Sequence, residues 1–151
     1  MTAQEKLNLL ASDLRISYPR SPRYLLGGYV IAARTLDKCR ALLNATNGEY
    51  KYDCPLDNCL FDFTEISATD FQATAATGAS DEEFTAWLTT NARANSPREI
   101  IKWNNRMRDT RISDLPDNLQ EFLEGYIPQH IPQNRAVYRW FDVYDLEEQR
   151  I

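Results

Sequence analysis

The chain has 151 residues, 43% of them hydrophobic, and a formal net charge of −5. This length and composition suffice for the core of one domain and argue against an intrinsically disordered protein. The excess of acidic residues argues against a general nucleic-acid partner, because such a partner requires positive charge along the phosphate backbone.

The sequence does not indicate a membrane or secreted protein. The longest apolar run, residues 25–33, contains two glycines and is far shorter than the roughly 20 residues that cross a bilayer. The N-terminus lacks the cationic start and apolar block of a secretion signal. Cys39, Cys54 and Cys59 form an odd set without paired spacing, so no disulfide framework is expected. We therefore expect a reduced, cytoplasmic protein with no membrane partner and no cofactor.

The first predicted helix begins at Thr2 and ends before Pro19, because the residue preceding a proline is disfavoured in helical conformation. The apolar residues that share helical spacing here are Leu7, Leu10, Ala11 and Leu14. Ser21 and Pro22 then suit an N-cap and a first-turn proline. They predict a short turn that continues to Leu26.

Two adjacent glycines, Gly27 and Gly28, predict a tight turn, since glycine accepts positive φ and lets another backbone or a ligand approach closely. Neither phosphate-loop pattern, GxGxxG or GxxxxGK[ST], is present, so a hinge between helices is the favoured interpretation. From Tyr29 to Asn44 a wide apolar stripe predicts the central helix, covered on most sides. Gly48 suits the stop position after its last turn.

A run of short helices is predicted for the middle of the chain. Pro55 suits a first helical position, which makes Cys54 the N-cap of a helix that ends near Phe63. Asp57 takes the third position of that helix. Three later serines each precede an acid by three residues, which is a capping pattern. These pairs are Ser67–Asp70, Ser80–Glu83 and Ser96–Glu99. The apolar faces that follow them contain Phe71 and Ala75; Phe84, Trp87, Leu88 and Ala92; and Ile100, Trp103 and Met107.

Two further helices and one interruption are predicted for the C-terminal third. The first helix has its apolar face at Leu115, Leu119, Phe122 and Tyr126. Pro128 and Pro132 interrupt residues 127–132, so an extended connector is predicted there. Residues 134–150 are predicted to be helical, although their aromatic residues would also suit a strand. The sequence thus predicts an all-α protein in which residues 1–151 form one compact domain of about six to eight short helices with irregular loops.

The first third of the chain is locally cationic. Residues 14–40 contain six cations and one acid, so 6 − 1 = +5 in a chain of net −5. Such a segment indicates a surface for an anion, and the planar donors of arginine bind carboxylate or phosphate in pairs. We predict that it binds an anionic small molecule or an acidic protein segment; alternatively, the arginines neutralise acids within the fold. The predicted ligand-binding residues are Arg20, Arg23, Gly27, Gly28, Arg34, Lys38, Tyr50 and Tyr52.

Cys54 is the candidate catalytic residue of an alternative function, an enzyme or a redox sensor. A thiol at a helix N-terminus lies beside unpaired N–H groups, which favour a nucleophilic sulfur. The lone histidine, His130, is distant in sequence, and Asp53 and Asp57 would oppose a thiolate, so a structural N-cap is favoured. Side chains that could bind a metal are present at Asp53, Cys54, Asp57, Cys59 and His130. Cys54 and Cys59 lack the tight spacing of a zinc knuckle, so no metal site is predicted.

A second basic strip consists of Arg98, Lys102 and Arg106, which share one face of a predicted helix. Like charges at this spacing cost about 0.2–0.5 kcal/mol per pair, so solvent, the acidic C-terminal third or an anionic ligand should offset them. Residues 114–151 carry eight acids and three arginines, and pairing with that segment is the favoured interpretation. A further alternative is a homodimer formed through exposed aromatic residues of the C-terminal third.

Short motifs spread over most of the chain resemble a known family. The motifs are Pro19-Arg20-Ser21-Pro22-Arg23, Leu26-Gly27-Gly28-Tyr29, Asp37-Lys38-Cys39-Arg40-Ala41, Gly48-Glu49-Tyr50 through Cys54-Pro55-Leu56-Asp57, Thr77-Gly78, Asp81-Glu82-Glu83, Trp87 and Ser96-Pro97-Arg98-Glu99-Ile100. In this combination the sequence resembles an uncharacterised bacterial family, domain of unknown function (DUF) 5069. The resemblance implies no activity and assigns no catalytic residue.

Overall fold

The computed structural model describes residues 1–151, and its regular structure is helical. The α-helices are α1 (Ala3–Leu10), α2 (Ala32–Leu43), α3 (Pro55–Thr64), α4 (Ala68–Ala75), α5 (Asp81–Asn91), α6 (Pro97–Asp109), α7 (Asp117–His130) and α8 (Trp140–Glu147). A short 3-10 turn, Ile112–Asp114, precedes α7. Extended pairing is limited to two isolated bridges, so there is no sheet. The predicted all-α class is confirmed.

The chain divides into two compact units, residues 1–96 and residues 97–151. The first unit contains α1 to α5, and the second contains α6 to α8. The single domain expected from the length of the chain stays a prediction.

Helix α2 lies in the core of the first unit. It packs against α3 and α4, and Ala32, Ala33 and Leu36 are fully buried, as expected for a helix with so wide an apolar stripe. Aromatic rings of α3, α4 and α5 extend this core, with centroids 4.6 to 6.4 Å apart. These rings belong to Phe61, Phe71, Phe84 and Trp87.

The predicted helix starts in the first unit follow from capping side chains. Thr2 Oγ1 accepts a hydrogen bond from the Glu5 amide at 3.1 Å, and Ser67 Oγ accepts one from the Asp70 amide at 3.0 Å. Ser80 forms a reciprocal capping box with the third residue of α5. These bonds satisfy amides that no intrahelical carbonyl can reach, which confirms the predicted starts of α1, α4 and α5.

The double glycine forms the predicted tight turn. Gly27 and Gly28 have φ of 62° and 87°, and Leu26 and Tyr29 exchange two backbone hydrogen bonds of 3.1 Å across them. A two-residue turn with positive φ at both central positions favours glycine. Ile31 follows with φ 74°, which excludes it from the helix. Helix α2 therefore begins at Ala32, and the predicted start at Tyr29 is wrong.

The end of α2 agrees with the predicted Asn44 to within one residue, but Gly48 is not the residue that stops it. The helix ends at Leu43, with Asn44 as its C-cap, and Ala45 takes the left-handed conformation (φ 56°) directly after the cap. The amide of Thr46 still closes the turn by donating to the carbonyl of Ala41 at 2.8 Å. These closing bonds satisfy the last carbonyls of the helix even without glycine at that position.

Helices α6 to α8 and the segments that join them also bury apolar residues. These residues are Trp103, Met107, Leu115, Leu123, Ile131, Trp140, Phe141, Val143 and Leu146. Helix α7 turns Leu123 inward, whereas the side chain of Phe122 is 59% exposed, so the predicted apolar face of this helix is partly wrong. At the C-terminus, Arg150 forms ion pairs with the buried Asp145 and Glu148.

The predicted extended connector at residues 127–132 is wrong, because α7 continues through Pro128 to His130. A proline removes one backbone hydrogen bond, but here it lies in the last turn, where little helix follows it. The Ile131 amide still donates to the Ile127 carbonyl at 2.9 Å. In the tail, the helix prediction is confirmed for α8 alone, since residues 134–139 are not helical.

Replacing Gly78 with alanine is expected to destabilise the protein by about 1–3 kcal/mol. Gly78 has φ 79°, and an added Cβ would lie 2.5 Å from Lys6 Cβ and 2.9 Å from the Ala3 carbonyl oxygen. Chemical denaturation of the variant measures the loss. Gly125→Ala is the matched control: its added Cβ meets nothing within 4 Å, so the helical position should become more stable. Equal stability of Gly78→Ala and wild type would contradict the prediction.

Candidate functional site

Arg20, the first predicted anion-binding residue, is part of an internal charge network. Its Nη2 lies 2.9 Å from Asp37 Oδ1 on α2, and its Nη1 lies 2.8 Å from Asp81 Oδ2 at the start of α5. Arg40 Nη1 reaches the same Asp81 at 3.0 Å, and its Nη2 donates to the Ala79 carbonyl. The network therefore joins the loop before α2, α2 itself and the first turn of α5.

These contacts change the protonation equilibria of the network. Burial by itself lowers the pKa of Arg20, but the hydrogen bonds from its guanidinium to Asp37 and Asp81 outweigh burial and raise that pKa. Burial raises the pKa of Asp81, yet the bonds from Arg20 and Arg40 outweigh it and hold the pKa below its ordinary value. Arg20 and Asp81 are consequently both charged at neutral pH.

Lys38 is enclosed by acceptors of the first unit. Its Nζ lies 2.9 Å from Asp57 Oδ1, 3.0 Å from the Lys51 carbonyl and 3.2 Å from Cys54 Sγ. The contacts with Lys51 and Cys54 are hydrogen bonds, and the contact with Asp57 is an ion pair. Asp57 is fully buried and also accepts from Thr35 Oγ1 at 2.7 Å. Lys38 therefore serves as the counter-ion of a buried carboxylate.

Arg34, Tyr50 and Tyr52 lie in different surroundings. Arg34 is 2% exposed; its Nη1 donates to the Arg20 carbonyl at 3.2 Å, and its guanidinium lies 5.6 Å from the centroid of the Tyr50 ring. Tyr52 is half-buried, and its hydroxyl donates to the Ala68 carbonyl at 2.7 Å. Burial raises the pKa of Tyr52 above its ordinary value. Arg34 and Tyr50 are thus brought together, whereas the Tyr52 hydroxyl is bound to the first residue of α4.

The loop around the double glycine is more exposed to solvent than Arg34 and Lys38 are. Arg23 is partly exposed, and its backbone amide donates to Ser21 Oγ at 3.1 Å. Gly28 is exposed, and a Cβ added to it would meet no atom within 4 Å. Of the predicted residues, Arg20 and Lys38 pair with aspartates of this chain, as the alternative interpretation expects. Anion binding by this segment stays a prediction.

Cys54 is the N-cap of α3, as predicted. The Asp57 carboxylate closes this helix start by accepting from the backbone amides of Asp53 at 3.0 Å and Cys54 at 3.5 Å. Burial raises the pKa of the Cys39 thiol to about 12 and that of the Cys59 thiol to about 11. Cys54 is only partly buried and lies beside the Lys38 ammonium.

The residues weighed for a metal site do not form one cluster. No group of three or more histidine, cysteine, aspartate or glutamate side chains in the chain is arranged to hold a metal ion. His130 lies in the last turn of α7, where its Nδ1 is 3.0 Å from the Tyr126 carbonyl oxygen and its ring stacks on Tyr126 at 3.9 Å. The imidazole ring of His130 therefore contacts a residue of its own helix.

The basic strip of α6 differs from Arg20, Lys38 and Arg40, which bind carboxylates of the first unit. Arg98, Lys102 and Arg106 are all exposed, and none of their side chains forms an ion pair or hydrogen bond within the chain. The expected pairing with the acidic C-terminal third is therefore wrong. Asp145 and Glu148 of that third bind Arg150 instead.

Sequence reasoning did not identify the network formed by Arg20, Asp37, Arg40 and Asp81. Arg20 is 17 residues from Asp37 and 61 residues from Asp81 along the chain, so no local sequence pattern connects them. One signal was available: Asp37 is the only acid in the cationic segment. An acid placed among so many cations would have suggested an ion pair.

The fold and its charges define a small helical protein with internal ion pairs in its first unit and an exposed basic strip on α6. The family model described as Domain of unknown function (DUF5069) matches residues 16–150. The chain belongs to this family, which confirms the resemblance found in its motifs. A search of curated proteins gives no match. No helix has the length and apolar character needed to cross a bilayer.

Proposed function

We propose that the protein is a non-catalytic module that binds an anionic partner, specifically an acidic protein segment. The observation that carries this proposal is the strip of Arg98, Lys102 and Arg106 on α6, which is exposed and has no partner within the chain. Other cations, including Arg20, Lys38 and Arg40, are already bound to carboxylates of the first unit. An anionic ligand would therefore gain more binding free energy from the α6 strip than from Arg20, Lys38 or Arg40.

The spacing of the strip favours a protein ligand. Successive cations are four residues apart, which corresponds to a rise of about 6 Å on a helix. Carboxylates four residues apart on a second helix repeat at the same interval. The two like-charge pairs of the strip each cost about 0.2–0.5 kcal/mol in the free protein. An acidic ligand removes that cost as it binds, whereas a small anion would reach only part of the strip.

The open loop at Arg23 and Gly28 is a competing location for an anion. Tyr24 and Leu25 are exposed beside it, and the Arg20 guanidinium lies 5.1 Å from the centroid of the Tyr24 ring. An anionic small molecule would bind there through Arg23 and the backbone of the glycine turn. A variant at Arg23 therefore separates the two locations.

The test uses a glutamate-rich helical peptide and isothermal titration calorimetry at low salt. Reversing the strip in the triple variant R98E/K102E/R106E should weaken binding of the peptide at least about tenfold, because three ion pairs of about 0.2–1 kcal/mol are lost and repulsion replaces them. Arg23→Glu is the matched control and should bind as wild type does. Equal binding by wild type and the triple variant would refute the proposal, and loss confined to Arg23→Glu would assign the site to the loop.

A second candidate function, a redox-sensing or nucleophilic thiol, rests on the 3.2 Å contact between Cys54 Sγ and Lys38 Nζ. If this candidate holds, a thiol reagent at neutral pH should label Cys54 first, while Cys39, which is fully buried with a raised pKa, stays unlabelled. Cys54→Ser provides the control, and mass spectrometry locates the label. Failure to label Cys54 in the folded protein would remove this candidate.

A further inference from the structure

Helix α7 carries an acidic stripe that complements the basic strip of α6. Asp117, Glu121 and Glu124 lie at positions i, i+4 and i+7, so they share one face of the helix. All three are exposed, and none forms an ion pair or hydrogen bond within the chain. The same unit, residues 97–151, thus contains three unneutralised acids and three unneutralised cations on two different helices.

The two stripes match in length as well as in charge. Arg98 to Arg106 covers about 12 Å along α6, and Asp117 to Glu124 covers about 10.5 Å along α7, at 1.5 Å per residue. Asp109, the last acid of α6, binds Arg139 and so does not relieve the repulsion within the basic strip. Both stripes would therefore gain from a partner outside the chain.

A unit that carries both members of a complementary pair on two of its helices suits a two-fold dimer. In such an interface the same patch of both copies is used, so each contact occurs twice. The α6 strip of one copy would face the α7 stripe of the other, and the reverse contact would form at the same time. A partner that offered acidic residues alone would leave the α7 stripe unneutralised.

We infer that the acidic segment recognised by the α6 strip is the α7 stripe of a second copy of this chain, in a symmetric dimer. This inference rests on the proposed function and names its partner. Exposed ion pairs are individually weak and are screened by salt. The dimer is therefore reversible, depends on protein concentration and dissociates at high ionic strength.

The test is a charge-swap experiment followed by sedimentation equilibrium at low salt. Wild type should show a mass that rises with concentration towards the dimer and falls to the monomer in about 1 M salt, where the screening length is about 3 Å. R98E/K102E/R106E has two acidic stripes and D117K/E121K/E124K has two basic stripes, so each should be monomeric. An equimolar mixture of the two should recover the dimer, because every opposed pair is again of opposite sign.

Two controls separate charge pairing from misfolding and from an aromatic interface. The six substituted residues are exposed, and circular dichroism with thermal melting verifies that both variants fold. Phe122→Ala removes an exposed aromatic ring of α7 and should dimerise as wild type does. A dimer that is lost in Phe122→Ala but kept in the charge-reversed variants would overturn the inference in favour of an aromatic interface.

Two outcomes distinguish this inference from the proposed function. If the acidic peptide binds the α6 strip while wild type is monomeric at every concentration, the proposed function stands and the inference is wrong. If wild type dimerises but the mixture of charge-swapped variants does not, the inference is also wrong, because the contact does not pair α6 with α7. Recovery of the dimer by mixing supports it.

Discussion

Replacing Asp57 with asparagine is expected to destabilise the protein by about 3–5 kcal/mol, the range for breaking a buried ion pair. Asp57 is fully buried and neutralises Lys38, which is itself only 3% exposed. Asparagine retains the size of the side chain but leaves the Lys38 ammonium as an uncompensated charge in the core. Urea denaturation followed by circular dichroism measures the difference in the free energy of unfolding.

The neighbouring acid provides a matched control. Asp53 precedes the same helix but is exposed, so Asp53→Asn should change stability by less than about 0.5 kcal/mol. Asparagine also tolerates the positive φ of this position, 63°. Adding Lys38→Met to Asp57→Asn should recover part of the loss, because the unpaired charge is then absent. A loss below about 1 kcal/mol for Asp57→Asn would show that water or another group reaches Lys38.

Replacing Phe71 with alanine is expected to cost about 3–5 kcal/mol, since it removes a large buried ring and leaves a cavity. Phe71 is fully buried and lies at the centre of the aromatic cluster, 4.6 Å from Phe84 and 5.5 Å from Phe61 between ring centroids. Chemical denaturation gives the free energy of unfolding directly.

Phe122→Ala removes the same ring from the surface of α7 and serves as the comparison for Phe71→Ala. Its side chain is 59% exposed, so the loss should be below about 1 kcal/mol, mainly from the stacking contact with Tyr126. Similar losses for the two variants would mean that Phe71 is not a determinant of the core.

Most of the helices could be predicted because their signals are local. Ser67 and Ser80 each cap a helix through an amide three residues away, and Pro55 fixes the start of α3 at Cys54. The start of α2 could not be predicted in the same way. Ile31 has positive φ, a conformation that β-branched residues disfavour, and the surrounding fold holds it there.

The candidate site was less accessible to sequence reasoning. The clustering of cations in the first third was visible, but the partners of Arg20 and Lys38 depend on how distant segments pack. For the α6 strip the error was opposite: a matching acidic segment existed in the sequence, and the fold does not bring it into contact. The balance of charges in a sequence therefore does not show which acids and which cations come into contact in the fold.

The enclosure of Lys38 has a chemical consequence. An ammonium group that is paired with a carboxylate and screened from water is a poor target for acylating enzymes and reagents. The other lysines, Lys6, Lys51 and Lys102, are exposed and would carry such modifications. Acylation of Lys38 would therefore mark molecules in which the first unit has opened, and it would prevent them from closing again by removing the counter-ion of Asp57.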